Sequence, residues 1–348
     1  MAGTEDFKMT EMMKRWVLAR RPNGFPVAED FRLEEVPLPE PGEGEILVAC
    51  SHLSLDPYMR GRMDDVASYT APQELDKTMG GGGAGVVIAS RSDKFREGDL
   101  AFGMFGWASH GVAPADQCRK LDPALPPSTS LGVLGMPGFT AWSGLEAYGR
   151  MAEGETLAVA AATGPVGSMV GQLAQRRGLR AVGIAGGAEK CALLSERFGF
   201  DAAVDHRAHR SVPEMREALA AACPDGIDIY FENVGGPVLG GVLPNMNLHG
   251  RIIVCGMIAW YSGESDETGA IPLQKVWRMA LVKRLTIQGL LQTDHVARFR
   301  DFAAEVTPLV KEGKIAYLED VSDGLETMPA AFFSMLKGGN TGKQVVKV

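Results

Sequence analysis

The sequence contains no C-x-x-C pair, no His or Cys cluster with metal-ligand spacing and no G-x-S-x-G elbow. Its five cysteines (Cys50, Cys118, Cys191, Cys223 and Cys255) are odd in number and widely spaced, which excludes a disulfide framework and fits a reducing compartment. The missing clusters exclude a zinc site of ordinary spacing, and the missing elbow removes the case for a serine hydrolase. There is no internal repeat and no low-complexity segment. Positive charge is in deficit: 35 Lys and Arg stand against 43 Asp and Glu, a net charge of −8. Such a chain is a poor polyanion binder, so nucleic acid is not expected as a partner, although a local basic pocket for a small phosphate stays open. No apolar run reads as a membrane span. Residues 156–175 are uncharged and long enough, but Gly164, Pro165, Gly167 and Gly171 interrupt them, and Gln172 and Gln175 are polar. Residues 123–145 are broken by prolines and glycines. Glu5, Asp6, Lys8 and Glu11, with no apolar stretch among them, read against a signal peptide. A cytoplasmic protein is the expectation.

What is present is an ordinary globular composition, 45% apolar and 22% charged, over 348 residues, a length that suggests two domains. Up to residue ~125 the chain reads as short strands broken by Pro and Gly, including 46–51, 85–89 and 98–103, which suits a compact β-rich domain. From residue ~150 strand and helix alternate. Strands are expected at 156–161, 180–185, 202–204, 227–232, 251–256 and 285–290. Helices are expected at 166–177, 189–198, 212–222, 237–245 and 296–311. This spacing means βαβ units and a parallel, doubly wound sheet. The tail from Lys314 is mixed and ends in a strand-like stretch, 344–348.

The strand at 156–161 runs into Ala162-Thr163-Gly164-Pro165-Val166-Gly167, an A-x-G-x-x-G turn opening a helix. Gly164 lets backbone approach a pyrophosphate, Gly167 lets helix pack on strand, and the helix N-terminus presents N–H groups and its positive dipole end. A structural strand-to-helix turn is the rival reading. An NAD site places an acid ~20 residues past the glycines, at the end of the second strand. Here that strand ends Ala185-Gly186-Gly187, with no acid, and Lys190 follows. A lysine can meet a 2′-phosphate, so NADPH is expected over NADH. His206, just past the third strand, is a second contact on the adenosine side. Lys190 also reads as a solvated helix residue, and Asp56, before Pro57, as either a turn residue or a cleft acid.

Seven ordered segments carry a family resemblance. They are 55–60 (LDPYMR), 135–141 (GMPGFTA), 161–172, 185–191 (AGGAEKC), 230–236 (YFENVGG), 255–261 (CGMIAWY) and 339–343 (GNTGK). With them the chain resembles the zinc-independent medium-chain dehydrogenases/reductases, in the branch of leukotriene B4 12-hydroxydehydrogenase, prostaglandin reductase, plant double-bond reductase and bacterial curcumin reductase. The resemblance implies a GroES-like β-rich catalytic domain (1–130), a Rossmann NADP-binding domain (131–300) and a C-terminal segment (301–348) returning to the first. It also implies a cleft between domains and a homodimer joined at the Rossmann domains. Residue by residue, it assigns Gly164, Pro165, Val166 and Gly167 to the pyrophosphate turn, Lys190 to the 2′-phosphate, and Asn233 and Asn340 to the cofactor. Cys255, Gly256, Met257, Ile258 and Tyr261 become the wall along the nicotinamide. His206 stands where these reductases usually carry tyrosine. Leu53 stands where zinc-dependent relatives carry a ligand cysteine, so no metal is expected.

The expected activity is NADPH-dependent reduction of the carbon–carbon double bond of an α,β-unsaturated aldehyde or ketone, with hydride delivered to the β-carbon. The enolate oxygen that follows needs a donor. Tyr261 is the candidate and Tyr58 the second; Tyr58 and Met136 are expected to line the substrate pocket. Packing roles compete at the two tyrosines. Zinc-independent alcohol oxidation, quinone reduction and cofactor binding without turnover are the alternatives.

Overall fold

The computed structural model describes residues 11–263 and 271–348. Glu5, Asp6 and Lys8 lie outside the described residues.

The chain opens with β1 (Met12–Leu18), β2 (Phe31–Pro37) and β3 (Glu45–Ser54), a short helix α1 (Tyr58–Arg62), then β4 (Gly83–Ser90), β5 (Leu100–Gly103), β6 (His110–Pro114) and β7 (Arg119–Lys120). Helix α2 (Met136–Gly144) precedes the alternating part: β8 (Thr156–Ala160), α3 (Pro165–Arg176), β9 (Arg180–Ala185), α4 (Ala188–Glu196), β10 (Ala202–Asp205), α5 (Val212–Ala222), β11 (Ile227–Glu232), α6 (Gly236–Asn245), β12 (Met246–Val254), α7 (Leu273–Lys283), β13 (Thr286–Gly289) and α8 (Phe299–Lys311). The tail forms β14 (Glu319–Asp323), α9 (Met328–Leu336) and β15 (Lys343–Lys347).

Two compact units result, Met1–Ser128 with Val321–Phe333 and Val345–Val348, and Thr129–Asp320 with Ser334–Gln344. The expected boundary at 300/301 is displaced. Helix α8 stays in the second unit because Phe302 packs on Phe139 and Trp142 of α2, with ring centroids 5.6 and 6.1 Å apart. Residues 334–344 also belong to the second unit rather than to one returning segment. The helix expected over 296–311 begins as 3₁₀ turns at Gln292–Arg298 and becomes α-helical only from Phe299.

In the first unit β1 and β2 form an antiparallel hairpin, Met12 opposite Pro37 and Leu18 opposite Phe31. A sheet of order β14-β15-β3-β4-β5-β7, with β6 on β3, makes up the rest. Its core is aromatic: Trp107 stacks on Phe31 at 5.6 Å and meets Phe332 edge-on at 5.4 Å. Arg60 is buried, and its guanidinium is satisfied by the Gly24 carbonyl at 2.7 Å and the Asp64 carboxylate at 2.8 Å, as a buried charge requires.

The second unit holds a six-stranded sheet of order β10-β9-β8-β11-β12-β13, and its strand pairings are parallel. All five residues of β8 are buried, since helices cover both faces of such a sheet and its central strands become unbroken apolar runs. The helices are stopped and started by local chemistry. Ser211 caps α5 in a reciprocal box, its hydroxyl accepting from Glu214 N–H and its own N–H donating to the Glu214 carboxylate at 3.0 Å. Gly171 of α3 faces Phe200 so closely that a Cβ would lie 1.9 Å from the ring, which allows α3 to lie flat on its neighbours.

Candidate active site

The strand order reverses between β8 and β11, and in doubly wound sheets ligands bind outside the carboxyl ends of the strands at that point. The turn after β8 occupies one side of this crevice. Ala161 is held in the left-handed region at φ 50°, a conformation costing roughly 1–2 kcal/mol for a residue with a Cβ. Ala162 N–H donates to the Ile184 carbonyl and Gly164 N–H to the Ala161 carbonyl, both at 3.0 Å, and these bonds hold the turn. Gly164 caps α3, whose first residue is Pro165, a ring that loses no hydrogen bond there. A Cβ on Gly167 would meet the Ala161 oxygen at 2.5 Å and the Ala162 Cα at 2.7 Å, so only glycine permits this approach of helix to strand. The first turn of α3, including Val166, therefore opens on the crevice with N–H groups that have no intrahelical partner.

On the far side of β8, strand β9 ends at Gly186 and Gly187, the latter at φ 97°. The sequence has no acid at this strand end. The structure supplies one from the next strand: Asp205, which closes β10, accepts from Gly187 N–H at 2.7 Å and Arg207 N–H at 2.8 Å. Burial raises the Asp205 pKa, but these backbone bonds outweigh it and hold the group below the ordinary carboxylate value. Its charge is thus turned toward backbone. Three cationic or basic groups gather around the glycine pair. Lys190 on α4 is half-buried, and its ammonium donates to the carbonyls of Gly338 at 2.9 Å and Asn340 at 2.6 Å. Burial first, and Arg207 second, press its pKa below the ordinary lysine value. His206 Nε2 would lie 2.7 Å from a Cβ on Gly186, and Arg207 Nε 3.0 Å. His206 keeps an exposed flank, yet desolvation of its ring and repulsion by Arg207 lower its pKa. Arg207 and Asp205 were missed from sequence. The signal available was the position of both one strand beyond the glycines.

Asn233, directly after β11, stands across the crevice from the turn and donates its amide to the Ala160 carbonyl at 2.9 Å, tying β11 to the end of β8. Behind it Glu232 is buried, and one of its oxygens accepts from Val234 N–H at 2.6 Å and Gly235 N–H at 2.9 Å. The segment after β12 is anchored to the same strand end. Cys255 and Gly256 N–H donate to the Glu232 carbonyl, and Ile258 N–H to the Asn233 carbonyl. Burial, then the nearby Glu232, pushes the Cys255 thiol up to about 12, which suits packing rather than nucleophilic use. Met257 is exposed, and its N–H donates to the Tyr261 hydroxyl at 3.2 Å. That bond bends the tyrosine back over Gly256. Asn340 sits beside Lys190, with its own amide donating to the Gly342 carbonyl at 2.7 Å. Met136 is the first residue of α2 and is partly buried, its carbonyl accepting from Thr140 at 2.7 Å. The second unit therefore brings Gly164 to Gly167, Lys190, His206, Asn233, 255–261 and Asn340 to the carboxyl edge of one sheet. Tyr58 belongs to the first unit, where it opens α1. Burial, then Asp56, raises its pKa, and Asp56 accepts from the Ser54 hydroxyl.

Residues 14–121 match the family described as the N-terminal domain of oxidoreductase, and residues 165–311 the zinc-binding dehydrogenase family. The NADPH-dependent curcumin reductase of Escherichia coli is 48% identical over 96% of each chain. The NADP(+)-dependent 2-alkenal reductase of Nicotiana tabacum is 39% identical over 96% of this chain and 97% of its own. The crystal structure of CurA from Vibrio vulnificus in complex with NADPH superposes with a TM-score of 0.90 at 43% identity, covering 96% of this chain and 99% of that one. The chain belongs to the medium-chain dehydrogenases/reductases, in the branch of these reductases. Although one matching family is named for zinc, this member of the branch has a buried Leu53 within β3. Among the described residues no group of three or more His, Cys, Asp or Glu is placed to hold a metal ion. No helix of the described residues is long and apolar enough to cross a membrane.

Proposed function

We propose that this protein is an NADPH-dependent reductase of the carbon–carbon double bond in α,β-unsaturated aldehydes or ketones. The observation that carries the cofactor assignment is the Gly186-Gly187 corner, where Asp205 is turned to backbone N–H groups and Lys190, His206 and Arg207 gather, beside a glycine turn at the switch point of the sheet. The residues fit a 2′-phosphorylated dinucleotide: the turn and the α3 N-terminus suit a pyrophosphate, and the cationic corner suits the extra phosphate. The curcumin and 2-alkenal reductase relatives support the substrate class. NADPH, when bound, supplies the hydride that adds to the β-carbon. As it adds, negative charge develops on the carbonyl oxygen, and Tyr261 is the residue assigned to donate to that oxygen. The Met257 N–H bond holds its ring on the loop, which reduces the entropy lost in positioning the donor. A proton from solvent or a tyrosine completes the α-carbon. Asn233, Asn340 and the wall 255–258 hold the cofactor, and Met136 of the same unit is assigned to the substrate.

The protein works as a cytoplasmic homodimer in this reading. Its five cysteines are unpaired, as a reducing compartment requires. Strand β13 is the outer strand of the six-stranded sheet, and neighbouring α7 exposes Trp277 at 62% and Leu281 at 79%, an apolar face that suits a second copy. The deciding experiment is NADPH oxidation with a simple enone or enal and identification of the product. The saturated carbonyl compound is expected. An allylic alcohol as product, or no turnover with any enal, enone or quinone, would reject the assignment.

A further inference from the structure

We propose that Arg207 is a second cation of the 2′-phosphate site, acting with Lys190 to set the preference for NADPH over NADH; the proposal rests on the cofactor reading above. Arg207 Nη2 lies 3.4 Å from the Gly338 carbonyl oxygen, the same oxygen that Lys190 Nζ contacts at 2.9 Å. Two positive side chains therefore converge on one neutral acceptor. Such an arrangement repels itself: Arg207 is among the causes that lower the Lys190 pKa. Among the described residues neither of them forms an ion pair with a carboxylate. Asp205 is turned to the backbone N–H groups of Gly187 and Arg207. Asp320 attracts Lys190 more weakly than Arg207 repels it, and accepts from Thr341 N–H at 3.1 Å. Among the described residues Arg207 makes no ion pair. His206, beside it, is held toward its neutral form by desolvation and by Arg207 itself.

The space these cations border is kept open by glycine. A Cβ at Gly186 would come within 3.0 Å of Arg207 Nε, and one at Gly187 within 3.8 Å of Arg207 Nη1. The guanidinium thus lies along the strand end where an NAD-binding chain carries an acid. A dianion seated there would relieve the repulsion between Lys190 and Arg207, and the planar fork of arginine would give it two parallel bonds that lysine cannot. A dinucleotide without the 2′-phosphate would leave the repulsion in place.

The rival account is that Arg207 only clamps the 338–340 segment. Calorimetric titration of the purified full chain with NADPH, NADH, 2′-AMP and 5′-AMP separates the two. R207A is expected to weaken NADPH and 2′-AMP by roughly 10- to 100-fold, as for loss of one charge-assisted bond. NADH and 5′-AMP should stay within about twofold of wild type, and R207K should recover part of the loss. Equal loss for NADPH and NADH, or no loss for NADPH, would overturn the role of Arg207. The underlying cofactor reading is tested by wild type alone: if it binds NADH as tightly as NADPH and does not distinguish 2′-AMP from 5′-AMP, that reading fails along with this one. Arg207 is exposed, so an unchanged thermal midpoint in R207A is expected and serves as the folding control.

Discussion

Two side chains carry opposite kinds of expectation. In the proposed reading Lys190 is a binding group, whose ammonium, donating here to the Gly338 and Asn340 carbonyls, would turn to a phosphate. A charge-assisted bond is worth about 1.5–3 kcal/mol, so Lys190→Ala should weaken NADPH by roughly 10- to 100-fold and leave NADH nearly unchanged. Fluorescence titration with both cofactors measures this. Equal losses would return Lys190 to the role of a clamp on the tail. In the same reading Tyr261 acts in the transition state instead. Tyr261→Phe keeps the ring but removes the hydroxyl, and with it the bond from Met257 N–H. Losing a lone oxyanion donor costs ~2.7–4 kcal/mol. A ribose hydroxyl of the cofactor can share this work, so the expected fall in kcat is smaller, roughly 10- to 100-fold, with cofactor affinity unmoved. Steady-state reduction of an enone, beside a separate binding titration, decides it. Full turnover in the phenylalanine variant would shift the role to Tyr58.

Among the elements, the β8–α3 turn and the β11–α6 turn flank the point where the strand order reverses. Gly167 is the contact point of the first. Gly167→Ala places a methyl group 2.5 Å from the Ala161 oxygen, and overpacking of this kind costs about 1–3 kcal/mol. Helix α3 must then move off β8. NADPH and NADH should both weaken, and the thermal midpoint should drop. A variant with wild-type stability and wild-type affinity for both would show that the turn is not tightly packed in solution. The second turn depends on Glu232. Burial raises its pKa, backbone N–H bonds from Val234 and Gly235 oppose this, and burial prevails. The Tyr230 hydroxyl lies near enough to feel its charge but outside hydrogen-bond geometry. A carboxyl whose pKa is higher folded than unfolded favours folding when protonated. Its contribution therefore declines as pH rises from the ordinary carboxylate range through the raised folded value. Glu232→Gln keeps the acceptor for the two N–H groups and removes the charge. Urea unfolding at pH 4, 5, 6, 7 and 8 should show a stability gain over wild type that grows across the rise. A constant difference at all five values would mean that the wild-type carboxyl titrates at its unfolded pKa.

At the scale of the whole molecule, the exposed apolar side of the second unit is the feature a monomer explains least. Trp277 and Leu281 lie on α7, next to an outer strand whose four residues are all exposed. Dimerisation through this face would cover the strand edge as well. Sedimentation at micromolar concentration should give a species of twice the 37.2 kDa chain mass, and Leu281→Glu should return it to monomer. A wild-type monomer, or a dimer indifferent to Leu281→Glu, would place the contact elsewhere or nowhere.

The sequence alone determined the parallel half of this protein. Five strands and their helices could be placed within a few residues because a sheet covered on both faces needs short apolar runs, and helices between them need their own spacing. Arg180–Ala185, Val212–Ala222 and Ile227–Glu232 were read to the residue. The glycine turn was legible for a similar reason, since close backbone approach admits one residue type. Much less of the first unit could be read. The β1–β2 hairpin alternates buried and exposed positions irregularly, and α1 is too short to show a period. Helix α2, buried along nearly its whole length, has no polar face to reveal it. Tertiary structure alone decided the rest. Arg207 and Asp205 join the corner at Gly186 because β10 lies beside β9, a neighbour relation that no local spacing encodes. The course of the tail was decided the same way: Lys190 meets Gly338 and Asn340 across some 150 residues of chain, a contact set by packing and not by any pattern within either segment.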